Sequence, residues 1–321
     1  MRIVDTSIGF QSVFIDGQFN LDKWEMYIDK WVPGAKELCL NDMKECIDSG
    51  YSWNENYLPI LNAVYANNEK RKETVRMFHI VSEHLDERII KVFGKTVDAD
   101  IVLYIGLCNG AGWVTKLREK TTVLLGIEKI MELDWYNKDD MNGLIIHELG
   151  HVYQSQYGTL YHNDNSLTEK FLWQMFTEGV AMTFEQKIIG NDEYYHQNRN
   201  GWKDWCDRNF EMIKKSFCRD LEIMTPENQR YFGDWVRFEG HPDVGYYLGT
   251  RFVQYLLKND CFENIINYTF ENVHAEFNKF MDLDWQIPVY RIDTLMIKWL
   301  LVTIKGSFLF SLTQPWLMYN L

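Results

Sequence analysis

The chain has 321 residues, 46% of them hydrophobic and 25% charged, and a formal net charge of −13 from 33 Lys+Arg against 46 Asp+Glu. This is the composition of a globular protein, too apolar for a disordered one. The acidic balance speaks against nucleic acid as a partner, because phosphate binding needs Lys and Arg gathered on one face.

The segment from Met1 to Asp16 shows no basic stretch followed by an apolar run and a small-residue cleavage site, so no secretory signal is read. The six cysteines (Cys39, Cys46, Cys108, Cys206, Cys218 and Cys261) form no C-x-x-C pair. Free thiols and a cytoplasmic location are therefore expected. Residues 1–70 mix aromatics with turn residues and show no clear periodicity. Lys70-Arg71-Lys72 and Arg76 are interrupted by Glu69 and Glu73, which predicts solvated helical turns and not a phosphate site.

From Arg71 to Phe93, the residues Val75, Phe78, Val81, Leu85, Ile89 and Val92 recur at three- and four-residue spacing. The spacing predicts one helix, with Gly94 as its left-handed C-terminal residue. Ile101–Leu107 and Thr121–Ile127 are short β-branched and apolar runs, with turn-prone Asn109-Gly110-Ala111-Gly112 between them. Trp113-Val114-Thr115 is expected to form a strand leading into the second run, with Lys116 to Lys120 as the loop. Helical spacing then continues to the end. A sheet followed by helices reads as α+β, divided into an N-terminal part (1–160) and a helical C-terminal part (161–321). Leu295–Phe310 is strongly apolar but carries Lys298 and Lys305 and is too short to span a bilayer. It is read as a buried or amphipathic helix, with peripheral membrane contact as the alternative.

Residues 147–151 read His-Glu-Leu-Gly-His. On a helix, two histidines four apart lie on one face and can reach one metal ion. Glu148 then points to the open side of that ion, where it can take a proton from a bound water. Asn137 and Asp139 are candidate N-caps, and Leu144, Ile145, Leu149 and Val152 supply an apolar face. Gly150 costs about 1 kcal/mol of helix propensity relative to Ala. Close approach of another backbone or of a substrate would account for it.

Ser166 and Glu169 form a capping box that opens a helix rich in apolar residues, with Glu178 at its middle. A carboxylate in such surroundings needs a partner or a metal, so Glu178 is the natural third ligand. The plainer alternative places it on a narrow polar stripe with Gln174 and Glu185.

H-E-x-x-H followed, 27 residues after His151, by Glu-Gly-x-Ala resembles the gluzincin metallopeptidases. The stretch VLLGIEKI…LIIHELGHVYQ, with Gly-Tyr-Tyr-Leu-Gly at 245–249, resembles a bacterial family of predicted zinc-dependent proteases over roughly residues 75–255. The resemblance implies a zincin-like fold with a small, mostly antiparallel sheet. It implies one Zn2+ ion held by His147, His151 and Glu178, with Glu148 as general base in peptide hydrolysis. It also implies that the strand near Thr121–Ile127 is the sheet edge along which a peptide or protein substrate lies.

Met182 stands where some gluzincins carry an Asp that orients a histidine ligand. That leaves Glu185 and Thr183 as candidates for the role. The Gly-x-Met-Glu-Asn element of the large aminopeptidases is absent. An oxyanion donor is sought in 241–251, where Tyr246 is favoured over Tyr247 and His241. His79, His84, His162, His196 and His274 receive no role. The alternative to catalysis is a zinc-stabilised binding or regulatory protein on the same scaffold.

Overall fold

A computed structural model describes residues 1–163 and 166–282, and in it the apolar runs become strands. Strand β1 (Arg2–Asp5) precedes a 3-10 turn and the short hairpin β2 (Phe14–Ile15) and β3 (Gln18–Phe19). Helices α1 (Leu21–Trp31), α2 (Lys36–Asp48), α3 (Leu58–Ala66), α4 (Asn68–Ser82) and α5 (Leu85–Phe93) follow. Then come β4 (Asp100–Tyr104), β5 (Gly112–Leu117) and β6 (Lys120–Gly126). The rest is helical: α6 (Ile127–Glu132), α7 (Lys138–Tyr157), α8 (Leu167–Ile189), α9 (Trp202–Arg208), α10 (Phe210–Asp220), α11 (Val244–Leu256), α12 (Phe262–Ile265) and α13 (Phe270–Asp282). The class is α+β, and Met1–Asp282 forms one compact unit. The apolar segment Leu295–Phe310 lies outside the described residues.

The sheet order is β1-β4-β6-β5. β1 pairs parallel to β4 and β4 parallel to β6, while β5 alone runs antiparallel, against β6. The expectation of a mostly antiparallel sheet is therefore corrected to a mixed one. The parallel pairs arise because β1 reaches β4 only after five helices, the long crossover that parallel pairing requires.

The edge also moves. β6 lies between β4 and β5, so the Thr121–Ile127 run is interior, and β5 is the edge strand on that side, with β1 at the other edge. Burial explains it. Residues 122–126 of β6 are all buried, the mark of a strand covered on both faces, whereas Gly112–Thr115 of β5 are only half-buried. The β5–β6 turn is tighter than expected, with Arg118 and Glu119 both at positive φ, as a two-residue hairpin requires.

The single helix expected over 71–93 is two. The chain breaks at Glu83-His84, where His84 takes φ 59°, and α5 ends on Gly94 at φ 66° as anticipated. The apolar spacing from Val81 to Leu85 continues across the break, so the periodicity gave no sign of it. Lys72 and Arg76 pair with Glu69 and Glu73 on α4, and Arg71 is satisfied by the Val64 carbonyl. No helix among the described residues is long and apolar enough to cross a membrane.

Candidate metal centre

Helix α7 starts where Asn137 Oδ1 accepts the backbone N–H groups of Asp139 and Asp140, each at 3.0 Å. Asp139 lies inside the helix and adds first-turn negative charge, which favours the positive N-terminal end. Helix α8 starts where Ser166 Oγ accepts the Glu169 N–H at 3.2 Å. The two helices pack closely because Gly150 has no side chain. A Cβ there would lie 2.9 Å from the Ala181 Cα of α8, so its tolerance of poor helix propensity reflects backbone approach.

This packing brings three side chains together. His147 Nε2 and His151 Nε2 lie 3.1 and 3.2 Å from the same atom, Glu178 Oε2. All three ligand atoms fall within 4.8 Å of one another. Two donors each ~2.0–2.1 Å from a tetrahedral zinc ion would be roughly 3.3 Å apart, so the spacing fits such an ion. The donor set, two imidazoles and a carboxylate, is that of open zinc sites with one position left for water.

The electrostatics are those of a buried ionic cluster. Burial pushes the Glu178 carboxyl up, but the adjacent His151 and His147 imidazoles outweigh it and hold the group well below the carboxylate range. Burial lowers His147, while for His151 the Glu178 carboxylate more than offsets burial and raises it. Glu148 is 6% exposed, and burial pushes its carboxyl up to about 7. The first residue of the edge strand passes directly over it. A Cβ on Gly112 would sit 2.7 Å from both Glu148 Cγ and Oε1.

The three residues and Glu148 line a cleft of about 430 Å³, walled by Trp113, Val114, Leu160, Tyr161 and Trp173. Gln174 and Glu178 both face this cleft. Glu185 does not share their stripe. It is fully buried, 3.7 Å from His147 Nδ1 and 3.0 Å from His196 Nδ1. Thr183 is buried with no hydrogen-bond partner for its hydroxyl, and Met182 lies in the core. Glu185 is thus the carboxylate that faces the far nitrogen of His147.

Tyr246 is half-buried and lines the cleft, with its ring centroid 5.7 Å from that of His147. Burial and Glu178 raise its hydroxyl well above the usual range, so it keeps its proton. The other two candidates lie elsewhere. Tyr247 is buried and donates to Asp207 Oδ1 at 2.5 Å, and His241 stacks on Trp205 at 3.9 Å.

One residue escaped the sequence reading. His196, an isolated histidine by spacing, is buried with its ring 5.5 Å from His147. Burial pushes it down to about 3, so it is neutral. No spacing rule links position 196 to 147, and only the tertiary contact through Glu185 shows the relation.

An HExxH helix under a sheet edge, joined by a carboxylate from a second helix, defines a protein with a candidate His–His–Glu metal site. Residues 80–276, more than half of the chain, match the family described as "Predicted Zn-dependent protease (DUF2268)". The chain belongs to that family. No curated protein and no solved structure matches it.

Proposed function

We propose that the protein is a zinc-dependent peptidase of the gluzincin type, with His147, His151 and Glu178 as the ligands of one zinc ion. The observation that carries the reading is the convergence of both Nε2 atoms on one Glu178 oxygen at 3.1 and 3.2 Å, with Glu148 beside them in an open cleft. A zinc ion held there would supply Lewis acidity and lower the pKa of its water to near ~7.

The chain's own residues do the rest. Glu148, beside His147 in the chain, takes a proton from the attacking water and passes it to the leaving amine. Tyr246, still protonated, donates its hydroxyl hydrogen to the oxygen that gains charge as the peptide carbonyl is attacked. The exposed edge of β5 offers backbone groups on which an extended peptide can pair, main chain to main chain. Residues 1–160 thereby contribute the strand and the HExxH helix, and the part from 161 onward contributes Glu178 and Tyr246.

We place this activity in the cytoplasm, on the strength of six cysteines that are all free. The test is peptide hydrolysis together with zinc analysis. Glu148→Gln retains zinc and loses hydrolysis by about 100-fold or more. Full activity in that variant would overturn the mechanism. Bound zinc with no hydrolysis in the wild type would favour a non-catalytic zinc scaffold instead.

A further inference from the structure

A second cavity of about 220 Å³ adjoins the cleft and shares Gly112, His147, Glu148 and Tyr246 with it. Its own walls are Leu133, Trp135 and Leu144, and its polar lining includes Gln197, Asp234 and Asp243. Among the described residues, no Lys or Arg lines it. The open cleft differs, because Lys170 lines that side.

Of the other polar residues lining it, Asn109 donates to the Cys39 carbonyl and to Asp42, and His196 Nδ1 is engaged by Glu185, which leaves Asp243 and Gln197 short of donors. Asp243 is 7% exposed. It stands at the N-terminus of α11 but caps nothing. Its Oδ1 accepts the Gly233 N–H at 3.2 Å, and it has no ion-pair partner among the described residues. Asp234, next to Gly233 in the connection between α10 and α11, meets Lys129 at 2.6 Å, but Lys129 is divided between Asp234 and Glu132. Gln197 is 8% exposed and lines the cavity, yet its Oε1 has no hydrogen-bond partner among the described residues. Its amide nitrogen reaches only the Met182 sulfur, at 3.6 Å. Burial, and after it the neighbouring Asp234, push the Asp243 carboxyl up to about 7 against the opposing pull of Lys129, so a cation entering the cavity would favour its charged form.

Apolar walls suit a hydrocarbon stem, and a carboxylate with an unpartnered carbonyl suits a cationic head. We propose that this cavity is the subsite for a lysine or arginine side chain immediately flanking the cleaved bond, so that the substrates are basic peptides. The assignment rests on the peptidase reading above. A hydrocarbon side chain in the cavity would leave the Asp243 charge without a counter-ion and the Gln197 Oε1 without a donor, and an acidic one would meet Asp243 with like charge. With Lys170 on the cleft side, the preference for a cation is confined to one flank of the bond. The chain's −13 net charge also draws basic peptides toward the protein.

The experiment uses the full-length, zinc-loaded protein and two sets of internally quenched peptides. The sets are identical except for lysine or norleucine at each position flanking the cleaved bond. On one flank, kcat/KM is expected to favour lysine by about tenfold or more. In Asp243→Asn, which tolerates the same backbone and can keep the Gly233 bond, the lysine-to-norleucine ratio falls toward one. Equal rates for the two peptides in the wild type, or an unchanged ratio in Asp243→Asn, would overturn the subsite. The same peptides titrated calorimetrically into Glu148→Gln give a readout without turnover, with about tenfold tighter binding of the lysine peptide expected. Equal affinities would overturn the subsite. Lysine-selective binding with no hydrolysis by the wild type would support the subsite and overturn the peptidase reading.

Discussion

Gly179 of α8 and Gly249 of α11 meet backbone to backbone. A Cβ on Gly179 would lie 2.2 Å from the Gly249 carbonyl oxygen, and one on Gly249 would lie 2.2 Å from the Met175 carbonyl oxygen. Glu178 directly precedes the first glycine, and Tyr246 stands one turn before the second. The crossing of these two helices therefore sets where the carboxylate and the tyrosine hydroxyl stand relative to each other. It also gives a packing reason for the glycine in Glu-Gly-x-Ala and for the last glycine of Gly-Tyr-Tyr-Leu-Gly.

Alanine at either position gains about 1 kcal/mol of helix propensity but overpacks a backbone contact, at about 3 kcal/mol. Gly179→Ala and Gly249→Ala are expected to lose about 2 kcal/mol each in urea unfolding, with weakened zinc binding. Unchanged stability and zinc affinity in both would show that the crossing does not hold the site.

Glu185 is expected to position His147. Its carboxyl lies 3.7 Å from His147 Nδ1, an atom with no hydrogen-bond partner among the described residues, and it is held in place by His196 at 3.0 Å. Glu185→Gln keeps the volume and replaces the carboxyl with an amide. Zinc affinity, measured by competition with a chromophoric chelator, should fall by about 10- to 100-fold. A wild-type affinity would leave Glu185 as a packing residue only.

Glu148 gives a pH signature of stability when a chelator keeps the protein free of metal. Its carboxyl holds a proton up to about 7 in the fold, against about 4.3 in an unfolded chain. Between these values the folded state binds the extra proton, so stability falls as pH rises through that window, and the loss persists above it. The total is about 4 kcal/mol. Glu148→Gln cannot pay this cost, so it should be more stable than wild type at pH 8 and no more stable at pH 4. Urea titrations at the two pH values measure the difference, and an equal gap at both would refute the assignment.

How much of this was legible in the sequence follows from the range of the interactions. His147, Glu148 and His151 are local, four residues on one helix, and spacing alone displays them. Glu178 was legible because a carboxylate amid Phe171, Met175, Phe176 and Val180 demands a partner. The resemblance puts the edge at Thr121–Ile127, one strand further in than β5, where it lies. The continuous Val123-Leu124-Leu125 run, buried throughout, is what a central strand looks like. β1 was not seen at all, since Arg2–Asp5 acquire their partners only from Asp100–Leu103, far along the chain. His196 and Asp243 were opaque for the same reason. Each faces the site across a tertiary contact that no periodicity encodes.

The central claim is that one carboxylate from α8 completes a metal site begun on α7. Zinc content per chain, measured by atomic emission after dialysis of the wild type and Glu178→Ala, tests it most directly. About one zinc per chain is expected in the wild type and little or none in the variant. Equal zinc in the two proteins, or none in a wild type offered excess zinc, would contradict it.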